Sequence, residues 1–360
     1  MYFKYLRLLE KMSELINQGG FGCIFYPGLN CKTNFTKKNE KLVSKLQLNS
    51  FNARNEIYIG SVIKNISNYK LYFLPVISAC NISIASINSE IINKCDIIEK
   101  GNDKYKVLEL PYLENISFET LFSDAKRSTR QLFLTFIETY KYIAISIQNL
   151  IDNNIVHFDI KEQNILYSTK YENPILIDFG LSIPIKKINN SNIKDFFYVY
   201  APDYYLWPLE VHIINYILHK DKLTLDSIKK TVDTYIKNNP GFNALSEKFI
   251  ERYTESSISF FSQFIKLDSA SVVLKLLEYY ATWDLYSLSI MYLRFLNKLF
   301  KKGFFKNTFI VAFSQLLLKN ISPYPNKRLT SKETQESYQD IFFINENPQA
   351  YSILIQQLNN

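Results

Sequence analysis

The chain has little of what several common functions require. Its four cysteines, Cys23, Cys31, Cys80 and Cys95, stand far apart, with no Cys-x-x-Cys pair, and its three histidines fall at no zinc spacing. That excludes a zinc-ribbon type of site and a dense disulfide framework. Reduced thiols in a cytosol-like compartment are the expectation. Long apolar runs are also missing. FIVAFSQLLL at 309–318 is among the longest, far short of the roughly 20 residues that span a bilayer. The first twelve residues, MYFKYLRLLEKM, mix charges with apolar residues and end in no small-residue cleavage site, so they do not read as a secretory signal. The net charge is +8, but no dense Lys/Arg run concentrates it. A basic solvated surface is expected, and no nucleic-acid partner. Only nine glycines are present in 360 residues, so any cluster of them carries information.

One such cluster exists. Asn17-Gln-Gly-Gly-Phe-Gly-Cys-Ile-Phe25 sets Gly19, Gly20 and Gly22 between two expected strands. Glycines let a backbone bend closely over an anion with its N–H groups facing phosphate oxygens. A strand follows them, not a helix, which disfavours a dinucleotide-binding turn. Further along, Leu-Val-Ser-Lys-Leu reads as a strand whose alternation puts Val43 and Lys45 on one face and Leu42, Ser44 and Leu46 on the other. Glu56, on the helix expected over 52–66, is a natural partner for Lys45.

The apolar period then changes. Phe133, Phe136, Ile137, Tyr140, Ile143, Ala144, Ile147, Leu150 and Ile151 recur at helical spacing, and Asp-Asn-Asn at 152–154 stops the helix. HFDIKEQN at 157–164 and PILIDFG at 174–180 follow, with apolar runs 165–167 and 175–177 around the polar stretch STKYENP. That is a hairpin pattern. It brings Asn164 and Asp178 toward one open end, just after Asp159 and Lys161. From about residue 204 the chain reads as helices: 204–219, 224–237, 243–265, 270–296 and 307–319.

Taken in order, these features resemble the eukaryotic-type Ser/Thr protein kinases over residues 13–335. The glycine loop resembles the kinase GxGxFGxV element, with Asn17 at the first glycine position, a residue that tolerates left-handed geometry. Lys45 matches the lysine of the third strand, and Glu56 its helix partner. His157-Phe158-Asp159 resembles HRD, Asp159-Lys161-Asn164 completes DxKxxN, and Asp178-Phe179-Gly180 is an intact DFG. Ala201-Pro202-Asp203 stands for the Ala-Pro-Glu motif. Asp284 resembles the aspartate that braces the catalytic loop, and Arg328 the late arginine whose partner would then be Asp203.

The resemblance implies an α+β, bilobal kinase-like fold. Its parts would be an N-terminal extension (1–12), a β-rich N-lobe (13–112), a helical C-lobe (113–340) with a helical insertion (205–280), and a C-terminal tail (341–360). It implies γ-phosphoryl transfer from ATP to Ser/Thr hydroxyls of proteins. Asp159 and Lys161 are the catalytic residues, and Asn164 and Asp178 hold Mg²⁺. Ile16, Asn17, Gln18, Gly19, Gly20, Phe21, Gly22, Cys23, Ile24, Val43, Lys45, Glu56, Pro111, Leu113 and Leu166 bind the nucleotide. Pro111 has no N–H, so Leu110 is read as the gatekeeper and Leu113 as the hinge donor; the other register puts the gatekeeper at Leu108.

Phe158 replaces the arginine that reads an activation-segment phosphate, so activity is expected not to depend on phosphorylation within 181–200. The insertion's stripes, such as Ile213, Ile217 and Leu218 or Phe260, Phe261, Phe264 and Ile265, are read as packing faces. The insertion and the Pro-Gly-x-x-Cys run at 27–31 resemble kinases of large DNA viruses, and the Ile-, Asn- and Lys-rich composition fits an AT-rich genome. Protein substrates, no membrane span, a monomer and a cytoplasmic location, in the host or the virion if viral, complete the expectation. The alternative is a pseudokinase scaffold that binds nucleotide without transfer.

Overall fold

Short β-branched and aromatic runs, broken by glycine and proline, make the first part of the chain a sheet. The structure, a computed structural model, describes residues 13–20, 22–29, 41–87, 89–98, 104–123, 128–301 and 308–342. It divides into two units, Met1–Asn115 with Ile177–Leu181, and Ile116–Leu176 with Ser182–Asn360. A sheet-based unit and a helical one make an α+β, protein-kinase-like fold. The N-terminal extension, Phe21, Cys31 and most of the C-terminal tail lie outside the described residues.

In the first unit the elements are β1 (Glu14–Gly19), β2 (Gly22–Tyr26), β3 (Leu42–Leu48), α1 (Phe51–Ile63), β4 (Ser78–Ile82), α2 (Ser89–Ile92) and β5 (Tyr105–Pro111). The strands form one antiparallel sheet in the order β1-β2-β3-β5-β4. Its register sets Ile24 opposite Lys45 and Lys45 opposite Leu108. Strand alternation then gives two faces. One buries Cys23, Phe25, Leu46, Tyr105 and Val107. The other carries Lys45 between Leu108, Leu110 and Val43, which pack with Val76 and Ile57. Helix α1 starts at Ser50, whose hydroxyl accepts the Ala53 N–H, the preferred N-cap arrangement.

The expectation of reduced thiols does not hold for Cys23 and Cys95, which form a disulfide across 72 residues of sequence. Neither spacing nor composition signals it, because the sheet and the segment after α2 bring the two together. Closing so long a loop restricts the unfolded chain and is worth about 4 kcal/mol. Reduction, or Cys23→Ser, is therefore expected to lower the urea midpoint by the equivalent of a few kcal/mol. A non-reducing peptide map without the Cys23–Cys95 linkage, or an unmoved midpoint, would contradict this.

The second unit begins with β6 (Asn115–Ser117), α3 (Phe118–Ser123), α4 (Thr129–Asp152), β7 (Ile155–Val156), β8 (Ile165–Ser168), β9 (Asn173–Leu176), β10 (Ile183–Pro184) and α5 (Ile193–Phe196). Then come α6 (Leu209–His219), α7 (Leu225–Lys237), α8 (Glu247–Ser262), α9 (Ser269–Leu277), α10 (Trp283–Lys301), α11 (Thr308–Asn320) and α12 (Ser331–Phe342). Eight of the nine apolar residues read at helical spacing on α4 are buried, from Phe133 to Leu150, and Ile151 is half-buried. A capping box between Ser128 and Gln131 starts that helix. The hairpin is tighter than its sequence pattern: Ser168 pairs with Asn173, and Pro174 lies inside β9. Strand β9 is at the edge of its sheet, where a missing N–H is tolerated.

The single helix expected over 270–296 is two. Helix α9 ends at Leu277 and a 3₁₀ turn at Tyr280–Thr282 restarts the chain as α10, which puts Asp284 in a first turn. The tyrosines of α7, α8 and α10 meet: Tyr235 and Tyr253 both contact the Tyr286 hydroxyl, at 2.6 and 2.9 Å. The apolar stripes of 205–280 pack inward, with Ile213, Phe260, Phe261 and Phe264 buried. Among the described residues no helix is long and apolar enough to cross a membrane.

Candidate active site

In the first unit the site is built around one ammonium. Lys45, on the middle strand, puts its Nζ 2.9 Å from Glu56 Oε2 and 2.8 Å from Asp178 Oδ1. Glu56 comes from α1, and Gln47 also donates to it, at 3.3 Å. Burial by itself would lower the Lys45 ammonium, but Glu56 and Asp178 outweigh it and hold it well above its ordinary value. Two carboxylates on one lysine make the cation permanent. The Asp178 segment is fixed further by Asn55 Nδ2, which donates to Gly180 O at 3.1 Å, and by Phe179, edge-on to Phe73. Asp178 has φ 63, a left-handed backbone that costs a non-glycine residue about 1–3 kcal/mol.

The glycine hairpin lies at one edge of the same sheet. Gly22 allows a close approach: a Cβ there would sit 3.0 Å from Leu46 O and 3.1 Å from Lys45 Cγ. Gly19 and Gly20 have open space where a side chain would be, so packing does not demand them. Asn17 is not left-handed; it stays in β1, after a bulge at Ile16, and Ile16 is half-exposed. Gln18 reaches Asp96, donating to its Oδ2 at 2.8 Å. Cys23 does not face the nucleotide side expected of it. It points to the opposite face from Ile24 and Lys45, into the disulfide. At the end of β5, Tyr112 N–H is spent on Lys41 O at 2.8 Å. Pro111 has none, which makes Leu113 the next backbone donor.

In the second unit Asp284 shapes the catalytic loop. Its two carboxylate oxygens accept from His157 N–H at 2.6 Å and from Phe158 N–H at 2.8 Å. Burial pushes the Asp284 carboxyl up, while the nearby His157 and the two N–H donors pull it back. Phe158 is bent into the left-handed region, φ 69. Its ring stacks on Trp207 at 4.8 Å and meets Phe197 at 5.6 Å, and Trp207 Nε1 donates to Phe158 O at 2.8 Å.

That bend presents Asp159. Its Oδ2 accepts from Lys161 Nζ and from Asn164 Nδ2, both at 2.7 Å. Asn164 Nδ2 also reaches Asp159 O at 2.9 Å. With the amide nitrogen committed, the amide oxygen is left as the ligating atom. Such an amide oxygen, like a carboxylate oxygen, is a hard donor of the kind that suits Mg²⁺. Leu166 sits half-buried on β8, two residues on.

Arg328 does not pair with Asp203. Its guanidinium is held by both Glu210 oxygens, with Nη2 3.0 Å from Oε2 and Nη1 on Oε1. Burial opposes the charge, but Glu210 raises the Arg328 group above its usual value. Asp203 is exposed and cannot repay the desolvation of a buried arginine. The element in the Ala-Pro-Glu role is therefore Pro208-Leu209-Glu210. Two residues that sequence reasoning passed over also belong to this region. Tyr204 and Trp207 both contact the catalytic loop, and their only signal was aromatic density beside a loop motif.

The family model for the protein kinase domain matches residues 76–205. That stretch contains Asp159, Lys161, Asn164 and Asp178 and stops short of Lys45 and the glycine loop. The sequence is 37% identical over 96 residues to a probable serine/threonine-protein kinase cdc7 of Dictyostelium discoideum, covering 26% of this chain and 8% of the relative. It is 30% identical over 132 residues to calcium-dependent protein kinase 6 of Plasmodium berghei (strain Anka), covering 35% and 8%. The chain thus spans about 8% of the length of the curated relatives it matches. Across its catalytic-loop region the chain is similar to eukaryotic-type protein kinases.

Proposed function

We propose that this protein is a Ser/Thr protein kinase that uses MgATP, with protein substrates. The observation that carries the reading is Lys45, a buried ammonium gripped by Glu56 and Asp178. A buried ammonium held in one position by hydrogen bonds to two carboxylates is oriented as a phosphate-binding cation would be, and apolar packing has no use for it. Lys45 orients the α- and β-phosphates, and the backbone of Gly19, Gly20 and Gly22 covers the phosphate tail. Asn164 and Asp178 would hold Mg²⁺, which when bound neutralises phosphate charge. Asp159 orients the acceptor hydroxyl and takes its proton. Lys161, two residues on, compensates charge at the transferring group, an order more similar to Ser/Thr than to tyrosine kinases. Leu113 N–H and Pro111 O are the adenine contacts in this reading. A large-DNA-virus source, a cytoplasmic location and a monomer belong to the same reading.

The test is Mg²⁺-dependent transfer from ATP to a basic and an acidic generic protein, run beside Asp159→Ala. Phosphate in protein that the variant loses supports a kinase. Nucleotide binding without transfer in the parent supports the scaffold alternative and ends this reading.

The packing of Phe158 supports a further expectation. Aromatic contacts with Trp207 and Phe197 do the work of an arginine–phosphate pair, and Ser182 is buried with its hydroxyl donating to His157 O at 3.1 Å. A combined Ser191→Ala, Tyr198→Phe, Tyr200→Phe variant is expected to keep activity within about threefold of the parent, read as initial rates. A loss on the order of tenfold or more, with the melting temperature unchanged, would show that a phosphate is needed there.

A further inference from the structure

The Asp159 carboxylate has four acceptor positions, two on each oxygen. Among the described residues, three donors occupy them. Lys161 and Asn164 fill Oδ2, and the Tyr204 hydroxyl donates to Oδ1 at 3.0 Å. A single position remains, on Oδ1, beside the Tyr204 phenol. An acceptor hydroxyl has to donate to Asp159 before it can lose its proton, so this is where it can dock.

Tyr204 is built into this place. Its N–H donates to Ala201 O at 3.0 Å, and its ring stands edge-on to Trp207 at 4.9 Å. His212 Nε2 lies 3.2 Å from Tyr204 O. Burial lowers that imidazole to about 4, so near neutral pH it is an uncharged donor to the carbonyl. Burial, with Asp159 beside it, also pushes the Tyr204 phenol far above its usual value. The phenol therefore keeps its proton and remains a donor.

Resting on the kinase reading above, we propose that Tyr204 is a positioning residue for Asp159: by occupying one position on Oδ1 it turns the carboxylate and fixes the direction from which the acceptor hydroxyl approaches. In the step so arranged, the acceptor O–H gives its proton to Asp159 Oδ1. Its oxygen bonds to the γ-phosphorus as the bond to the β–γ bridging oxygen breaks, and ADP leaves with that electron pair. Oδ2, saturated by Lys161 and Asn164, takes no proton. Tyr204 itself stays protonated throughout.

Tyr204→Phe keeps the ring on Trp207 and removes only the donor. Losing a hydrogen bond to a charged group at a reacting carboxylate is expected to lower kcat on the order of tenfold. KM for ATP and the melting temperature should stay at parental values. Tyr204→His, which keeps a donor near the same point, should recover part of the loss. A Tyr204→Phe variant with kcat equal to or above the parent's overturns the inference. So does a kcat loss that tracks a fall in melting temperature and is not eased by histidine. A crystal structure of Tyr204→Phe decides the point without activity. The Asp159 carboxylate should be rotated or split between orientations, and a single unmoved orientation refutes the positioning role. A parent chain that transfers no phosphate ends the kinase reading instead, and the crystal structure still tells whether Tyr204 orients Asp159.

Discussion

Replacing Arg328 with alanine is expected to lower the unfolding free energy by about 3–5 kcal/mol, the usual cost of removing one partner from a buried ion pair. Both side chains are inaccessible, 1% and 0% exposed, so Glu210 would be left charged and dry. The arginine is also tied elsewhere. Its Nε donates to Ser322 O at 3.0 Å, and its guanidinium lies 4.6 Å from the Tyr286 ring centroid. Arg328→Lys should therefore recover little, since an ammonium cannot form the forked pair and reach Ser322 at once. Replacing the pair together, with Met at 328 and Leu at 210, should recover much of the loss, because the uncompensated charge is gone. Asp203→Ala should change stability by no more than about 0.5 kcal/mol, as expected at an exposed position. Urea midpoints at constant m-value read all four. An Arg328→Ala variant within about 1 kcal/mol of the parent, or a large effect at Asp203, would reverse the assignment of the pair.

Asp203 and Glu210 illustrate which features were legible in the sequence. Asp159, Lys161 and Asn164 lie within six residues, so local spacing sufficed, and the structure joins all three by hydrogen bonds. Lys45 and Glu56 were legible as a strand residue and a helix residue facing each other. The acidic partner of Arg328 was not, because two segments there offer a proline followed by an acid. The choice turns on burial, which spacing cannot report. Glu210 lies in the first turn of α6, a favourable place for a carboxylate. Helix α12 had a readable start: Thr330 and Glu333 exchange backbone and side-chain hydrogen bonds as a capping box. Its sequence SKETQESYQDIF has too few apolar residues for a periodicity signal, yet Ser331, Thr334 and Tyr338 are buried. The Cys23–Cys95 link and the Tyr204 contact to Asp159 span 72 and 45 residues. Contacts of that range follow from topology and leave no local pattern.

Lys45→Met is expected to reduce phosphoryl transfer on the order of 10²–10³-fold, the loss typical for one preorganised charge at a reacting centre. It should also change how stability depends on pH. In the parent, burial already holds the Glu56 carboxyl above its ordinary value, and Lys45 pulls it only part of the way back. Without the ammonium, burial and the nearby Asp178 both push the same way. The folded-state pKa of Glu56 would then rise further above its unfolded one than in the parent. Such a group binds its proton more tightly when folded, so the variant keeps its stability at acidic pH and loses it as pH rises through the folded value. The gap between parent and Lys45→Met should thus widen from pH 5 to pH 8. Adding Glu56→Gln should close most of that gap, since a neutral amide needs no counter-charge. It should restore no transfer, because the phosphates would still lack their cation. If the pH-dependent gap is missing, Lys45 does not hold Glu56 ionised in the fold. If the double variant regains transfer, the lysine is a structural partner, and the phosphates are bound by another group.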